Sequence, residues 1–349
     1  MALPLARPAA APLAGRDRSR HRVLGLLVAL GVLLLVVMLS LALGARDVAL
    51  GSVFDAVFAP IPGNTDHVVV RDLRVPRTVV GIVAGACLGL AGAIMQGITR
   101  NPIADPGLLG VNSGASLCVV LAIALFGITA PSGYIWFALA GAAIAASIVY
   151  GIGAIGREGA TPVKLALAGT ALTAGLTSII TLLLITDVDT LGTFRFWSVG
   201  SLANRDLGIV QALLPFVIVG VVLAALVGRM LNLLALGDDL ARGLGQNIAV
   251  ARVFSGLAIV LLCGSATALA GPIVFVGLVI PHLVRPFTGP DYRWILAYSA
   301  VLGPALLLTA DVIGRLVVRP GELEASLVVA LIGAPVMIAL VRRVKLAGL

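Results

Sequence analysis

Charge is what this sequence has least of. Only 11% of its 349 residues are Asp, Glu, Lys or Arg, against 60% hydrophobic, and its mean hydropathy is +1.12. Soluble domains carry about a quarter charged residues, so a water-facing globule is excluded. Cysteine is almost as scarce. Cys87, Cys118 and Cys263 all fall inside apolar segments, where a free thiol behaves as a small hydrophobe, and neither a disulfide framework nor a metal centre is implied. The three histidines, His21, His67 and His282, lie in separate segments with no HExxH or CxxC, which leaves zinc chemistry without a ligand set. A nucleophile paired with a base is also missing, as an intramembrane enzyme would need. The phosphate-cradling loop GxxxxGK[ST] does not occur, which excludes ATP hydrolysis on this chain by that route. No basic stretch is interleaved with aromatics, so the net charge of +8 does not point to nucleic acid.

What is present are long uncharged runs. A bilayer core needs about 20 apolar residues per helix, and residues 23 to 44, 78 to 99, 165 to 186 and 207 to 228 each supply one crossing. The block 106 to 156 is too long for one helix and carries the turn signal Ala130-Pro131-Ser132-Gly133, so it predicts a hairpin of two. Gly271-Pro272 divides 253 to 284 into a full span and a shorter one. Residues 294 to 310 and 325 to 341 supply the last two. The expectation is an all-α polytopic protein with ten transmembrane helices. Alternating β-barrel patterning is absent.

Ten spans put both termini on one side. If that side is the cytoplasm, it holds sixteen of the 24 basic residues, among them Arg16, Arg18, Arg20, Arg22, Arg100, Arg242 and Arg252, as the positive-inside rule requires. The Pro/Ala/Arg-rich residues 1–22 read as a disordered basic cytoplasmic tail, because the apolar run after them is too long for a signal peptide. Residues 23–349 read as one transmembrane domain. Ion-coupled transporters hold ionisable groups near the midplane, whereas here the charges gather at span ends and Asp311 alone approaches a span interior, one turn from Arg315. A secondary transporter is thereby disfavoured. Gly81, Gly85 and Gly89 form a four-residue ladder suited to close helix packing.

Between two spans lies MQGITRNPIADPGLLGVNSG, residues 95 to 114, a charged elbow broken by Pro102 and Pro106. Helix cannot run through it. Non-helical backbone at such depth is tolerated where protein covers it or where it lines an aqueous path, and both readings stand on the residues alone. Asn101 and Asp105 can satisfy the freed amides.

This elbow, together with RVPR (74 to 77), LALAGTAL (165 to 172), RFWSVGSL (195 to 202), LNLLALGDDLARGLG (231 to 245), GPIVFVGLVIPH (271 to 282), ADVIGR (310 to 315), GELE (321 to 324) and LIGAPVMI (331 to 338), resembles the FecCD-type permeases of binding-protein-dependent ABC importers. Those carry iron-siderophores, haem and cobalamin. The resemblance runs in family order over nearly everything after residue 23, and is nearest to ferric-enterobactin-type permeases. It implies the type II importer fold, with ten helices and cytoplasmic termini in the cytoplasmic membrane.

It also implies roles. Arg74, Arg77 and Arg315 would face the extracytoplasmic side and pair with glutamates of the substrate-binding protein; snorkelling of interfacial arginines is the alternative. Asn101 and Ile103 would belong to a cytoplasmic gate, with Pro162 and Val163 as its second part. Ile103 stands where leucine is commoner, and Pro162-Val163 where some relatives carry small hydroxyl residues. Gly237, Asp238, Asp239, Leu240, Ala241, Arg242, Gly243, Leu244 and Gly245 would form the coupling helix that docks in the ATPase. On pattern alone this segment is an amphipathic interfacial helix, with Leu236, Leu240 and Leu244 four residues apart. Phe196, Trp197 and Gly200 would lie near an outer gate, Trp197 being equally readable as an interfacial anchor. The implied partners are a second permease subunit, a related chain ahead of an identical copy, two ATPase subunits and an extracytoplasmic siderophore-binding protein. ATP and magnesium would reside on the ATPase and no cofactor on this chain.

Overall fold

Glycine and proline mark where the helices stop. The structure, a computed structural model, describes residues 14–44, 48–156, 161–319 and 321–346. Among these residues every regular element is helical: α1 (Ala14–Ala42), α2 (Leu50–Phe58), α3 (Thr65–Val68), α4 (Val75–Thr99), α5 (Val111–Phe126), α6 (Pro131–Ala154), α7 (Pro162–Thr186), α8 (Val188–Ser198), α9 (Leu207–Leu234), α10 (Asp238–Gly243), α11 (Ile248–Ala270), α12 (Val276–Thr288), α13 (Tyr292–Val317) and α14 (Ala325–Leu346). A π-type turn, Val69–Arg74, joins α3 to α4 without a break, and a 3-10 turn, Pro106–Leu109, precedes α5.

Each of the ten apolar segments is a helix. Seven are long and apolar enough to cross a membrane, while Val111–Phe126 and Ala325–Ala339 are shorter, and α12 has 13 residues. The shortfall in α5 follows from the elbow: Pro106 opens a 3-10 turn, and Gly110 at φ +70 ends it, so regular helix restarts only at Val111. The break before α12 also follows the sequence. Gly271 adopts φ +80, where a Cβ would strike the Trp197 carbonyl, a conformation that favours glycine, and regular helix resumes only at Val276, after Phe275 in left-handed backbone at φ 71.

Of the tail read over residues 1–22, the described part begins at Ala14 and is continuous with α1, since no proline after Pro12 separates the Arg-rich segment from the apolar run that follows. Residues 1–13 lie outside the described residues.

The centre of the bundle is α4. Its most apolar window is 78% buried, whereas those of α1 and α7 are 11% buried. The glycine ladder explains the position. A Cβ on Gly81 would strike Leu308, one on Gly85 would lie 2.6 Å from the Pro304 backbone, and one on Gly89 would strike the Ser299 carbonyl. All three face α13, and the close approach exists because they have no side chain. Small residues do the same on α12, where Gly92 meets Gly277. At the opposite extreme α7 leaves most of its length uncovered, with Thr170, Thr177, Ser178 and Thr181 exposed and Leu167, Ile179 and Leu182 on the remaining open surface.

Candidate functional site

Three groups of residues were singled out by sequence, and the structure treats them differently.

At the end expected to face outward, Arg74, Arg77 and Arg315 do come together, but as buried groups, 5%, 9% and 2% exposed. Arg77 donates through Nε to both oxygens of Asp311 at 3.0 Å, through Nη2 to Oδ1 at 2.8 Å, and through Nη1 to Glu322 at 2.6 Å. Arg315 pairs with Asp311 at 3.1 Å, one helical turn away, and donates to the Ser40 and Leu43 carbonyls and to Ser40 Oγ. Arg74 donates through Nη1 to the carbonyls of Leu41 and Ala42, at 2.7 and 2.6 Å. These are the carbonyls left open at the C-terminal end of α1, where cationic donors are favourable. The three guanidinium groups therefore tie α1, α4, α13 and the segment before α14 into one clamp. Removing one partner of such a buried pair would strand the other charge. Simple snorkelling to the interface does not describe them, since they point into protein. Above the clamp lies a cavity of about 750 Å³, lined by Asp72, Arg74, Arg77, Arg205, Arg315 and Glu322 among others.

At the opposite end, the elbow is built from two side-chain caps. Asn101 Oδ1 accepts from the Ile103 amide at 3.1 Å, and Asp105 Oδ1 from the Gly107 amide at 2.7 Å. Burial in the elbow pushes the Asp105 carboxyl above its ordinary range, against the opposing pull of the Gly107 hydrogen bond. Asn101 and Ile103 are exposed, Ile103 at 44%. Of the second part of the expected gate, Pro162 stands at the first turn of α7 behind the N-cap Thr161, and Val163 is 68% exposed. The elbow packs directly on α7, where a Cβ on Gly169 would collide with the Leu108 carbonyl.

The third group is α10. Gly237 at φ +102 and Gly245 at φ +84 bracket it, Ala241 is fully buried, and Leu236, Leu240 and Leu244 are 54%, 62% and 61% exposed. Leu240 on α10, with Leu236 before the helix and Leu244 at its C-cap, makes a strip of exposed leucines along this segment. Asp239 and Arg242 pair loosely at 3.6 Å in water.

One connection escaped the sequence. Asp238 at the start of α10 binds Arg252 of α11 at 2.8 Å and, through its other oxygen, Arg100. Arg100 is the residue that ends α4 and opens the elbow, and it holds left-handed backbone at φ 50, ψ 30. A non-glycine residue persists there only when its surroundings fix it. Asp238 thus links the exposed leucine strip to the elbow through one carboxylate. Arg100 and Asp238 are 138 residues apart, and no local pattern announces a pair across that separation. Trp197 is also resolved. At 2% exposed and packed on Phe194, it is a core residue of the outer segment and not an interfacial anchor, while Phe196 beside it is 67% exposed under Arg195.

Known proteins resemble this chain along most of its length. It is 48% identical over 319 residues to the ferric enterobactin transport system permease protein FepD of Escherichia coli, covering 90% of this chain and 94% of that protein. It is 44% identical over 327 residues to the iron(3+)-hydroxamate import system permease protein FhuB of Bacillus subtilis, covering 94% and 85%. A solved inward-facing structure of a metal-chelate type ABC transporter matches with a TM-score of 0.78 at 26% identity, covering 91% of this chain and 98% of that one. With the FecCD transport family matched over residues 32–343, the chain belongs to that family.

Proposed function

We propose that this chain is the permease through which a ferric siderophore crosses the cytoplasmic membrane, moved by alternating access that a separate ATPase drives. Family membership makes it a non-catalytic, multi-pass membrane subunit of a transporter complex with an ATPase and a binding protein. The observation that carries the mechanism is the strip Leu236, Leu240 and Leu244, exposed on α10 and tied by Asp238 to the elbow. An apolar strip of this kind on a soluble face suits a partner's groove, and the ATPase is the partner whose motion must reach the gate. Closure of two ATPase subunits would pull α10, and the Asp238 link would carry that movement to Asn101 and Ile103 and onward to the start of α7 at Pro162 and Val163. Residues 23–349 act as one permease domain, with the ten helices as its crossings. The nearly uncovered α7, with hydroxyls along one side and leucines along another, is the surface offered to a second permease subunit and to the path between them. ATP and magnesium belong to the ATPase.

The substrate class follows the relatives, whose names specify ferric enterobactin and iron(3+)-hydroxamate. Its test is uptake into proteoliposomes containing this chain with its own ATPase, supplied with binding protein loaded in turn with a ferric catecholate, a ferric hydroxamate, haem or cobalamin. ATP-dependent accumulation of a ferric siderophore is expected. Accumulation of haem or cobalamin alone, or uptake without ATP or binding protein, would overturn the reading.

A further inference from the structure

Not every glycine in this bundle serves close packing. In the outer half of the protein α6 and α11 touch, and a Cβ on Gly264 of α11 would lie 3.3 Å from Ala142 of α6. Further in they part. A Cβ on Gly151 of α6 or on Gly256 of α11 would meet no atom within 4 Å. The space between them is a groove of about 330 Å³, floored by Leu109 of the elbow and by Ala146, with Tyr150 and Leu257 in its walls. Its size falls at the lower edge of small-ligand cavities.

The groove lies at the depth of the inner leaflet. α6 runs inward to Ala154 and α11 outward from Ile248. At about 1.5 Å per residue, the lining from Tyr150 to Ala143 and from Val253 to Val260 stands roughly 6 to 18 Å from the cytoplasmic helix ends, within a hydrocarbon core about 30 Å thick. The surrounding surface is apolar, with Ile144, Ile148 and Ile152 exposed on α6 and Val253 and Phe254 on α11, and among the described residues no charged side chain lines the groove. Hydrocarbon is therefore what meets it. Lipid tails are as apolar as these walls, so transfer alone favours no particular tail. Two features do. Wall atoms facing an open groove lack partners that an inserted chain supplies, and the Tyr150 hydroxyl has no hydrogen-bond partner among the described residues. Tyr150 stands near the headgroup boundary, where tyrosine is favoured and where the ester carbonyls of a phospholipid lie.

We infer that this groove holds one acyl chain of an inner-leaflet phospholipid, whose ester carbonyl accepts from the Tyr150 hydroxyl, and that the chain braces the elbow from behind through Leu109. Leu109 closes the 3-10 turn in which the Leu108 and Gly110 amides donate to the Asp105 and Gly107 carbonyls at 3.0 and 2.8 Å. The Leu108 carbonyl of the same turn packs on α7 at Gly169. The turn is thus held between α7 on one side and the lipid chain on the other, and loss of the lipid loosens it.

The test is photo-labelling of the full chain in nanodiscs of phosphatidylethanolamine and phosphatidylglycerol that contain a trace of phospholipid with a diazirine midway along one acyl chain. Labelled positions are mapped by mass spectrometry and amide exchange is followed in parallel. Labelling at Val253 and Leu257 is expected to exceed that at Leu34 and Leu35, equally open on α1, about fivefold, the retention that one net hydrogen bond gives. Tyr150→Phe should bring it down to the α1 level and speed exchange at the Leu108 and Gly110 amides. Gly151→Leu combined with Gly256→Leu fills the groove, so labelling there is lost while exchange stays as slow as in the parent, the new side chains bracing the turn in place of the lipid. Groove labelling no higher than that of α1, or unchanged in Tyr150→Phe, would mark ordinary annular contact and overturn the inference. Exchange at Leu108 and Gly110 that Tyr150→Phe leaves unmoved overturns it as well. Neither readout involves transport, so the permease reading stands or falls separately.

Discussion

Replacing Asp238 with asparagine keeps the shape of the residue and removes the charge that two arginines share. The size of the effect can be worked from exposure. The Arg252 side chain is 13% exposed and lies 2.8 Å from Asp238, whereas Arg100 is 38% exposed. A solvent-screened pair such as the latter contributes about 0.5 kcal/mol, and a part-buried charge-assisted one about 1.5 kcal/mol. Losing both therefore frees about 2 kcal/mol of restraint, a roughly 30-fold change in a local opening equilibrium at 1.4 kcal/mol per factor of ten. The left-handed backbone of Arg100 adds to the shift, since strain of order 1 kcal/mol is relieved once its side chain is free. Amide hydrogen exchange read over Asn101, Ile103 and Ala104 should accelerate by about that factor, and siderophore moved per ATP hydrolysed should fall while hydrolysis continues. Exchange at these amides within twofold of the parent, together with an unaltered ratio of transport to hydrolysis, would refute the link between α10 and the elbow.

Two further outcomes are expected. Arg77→Ala leaves the fully buried Asp311 with Arg315 as its remaining ion-pair partner and removes the pair to Glu322, so a loss of about 2 to 3 kcal/mol is anticipated and should appear as a fall in thermal midpoint in detergent, with Arg77→Lys, which keeps the charge but not the fork, recovering part of it. At the cytoplasmic end, burial alone would raise the Asp291 carboxyl, but hydrogen bonds from Arg293 and Asn232 outweigh it and hold the group below its usual range. Because the folded value is depressed, its stabilising effect is complete above about pH 4 and is lost as pH falls through the lower folded value. Asp291→Asn should flatten that acid limb in a pH series of thermal midpoints.

How much was legible depends on the range of each interaction. The helices follow from apolar run length and from single prolines and glycines, which act within one or two residues, so α6, α7, α9, α11 and α13 fall close to the uncharged runs. The close packing of Gly85 on α13 was readable as spacing, though not the partner it meets. α10 was readable because its leucine spacing and bracketing glycines are local. The state of Arg74, Arg77 and Arg315 was not. Their positions follow from motif, and the Asp311–Arg315 spacing is local, but the burial of Arg77 against Asp311 joins residues 234 positions apart and the end of α1 that receives Arg315 lies 275 positions from it, so the pattern of one segment contains nothing about the other. Arg100, Asp238 and Arg252 are invisible for the same reason.

The central claim is that a partner ATPase grips the leucine strip of α10. Leu240→Glu combined with Leu244→Glu tests it most directly, because both side chains are more than 60% exposed and their replacement costs the fold little. Burying two leucines contributes about 3 kcal/mol, so the ATPase should bind the purified variant roughly a hundredfold more weakly, with uptake lost and the thermal midpoint of the permease alone unchanged. ATPase binding at the parent affinity with uptake intact would contradict the claim.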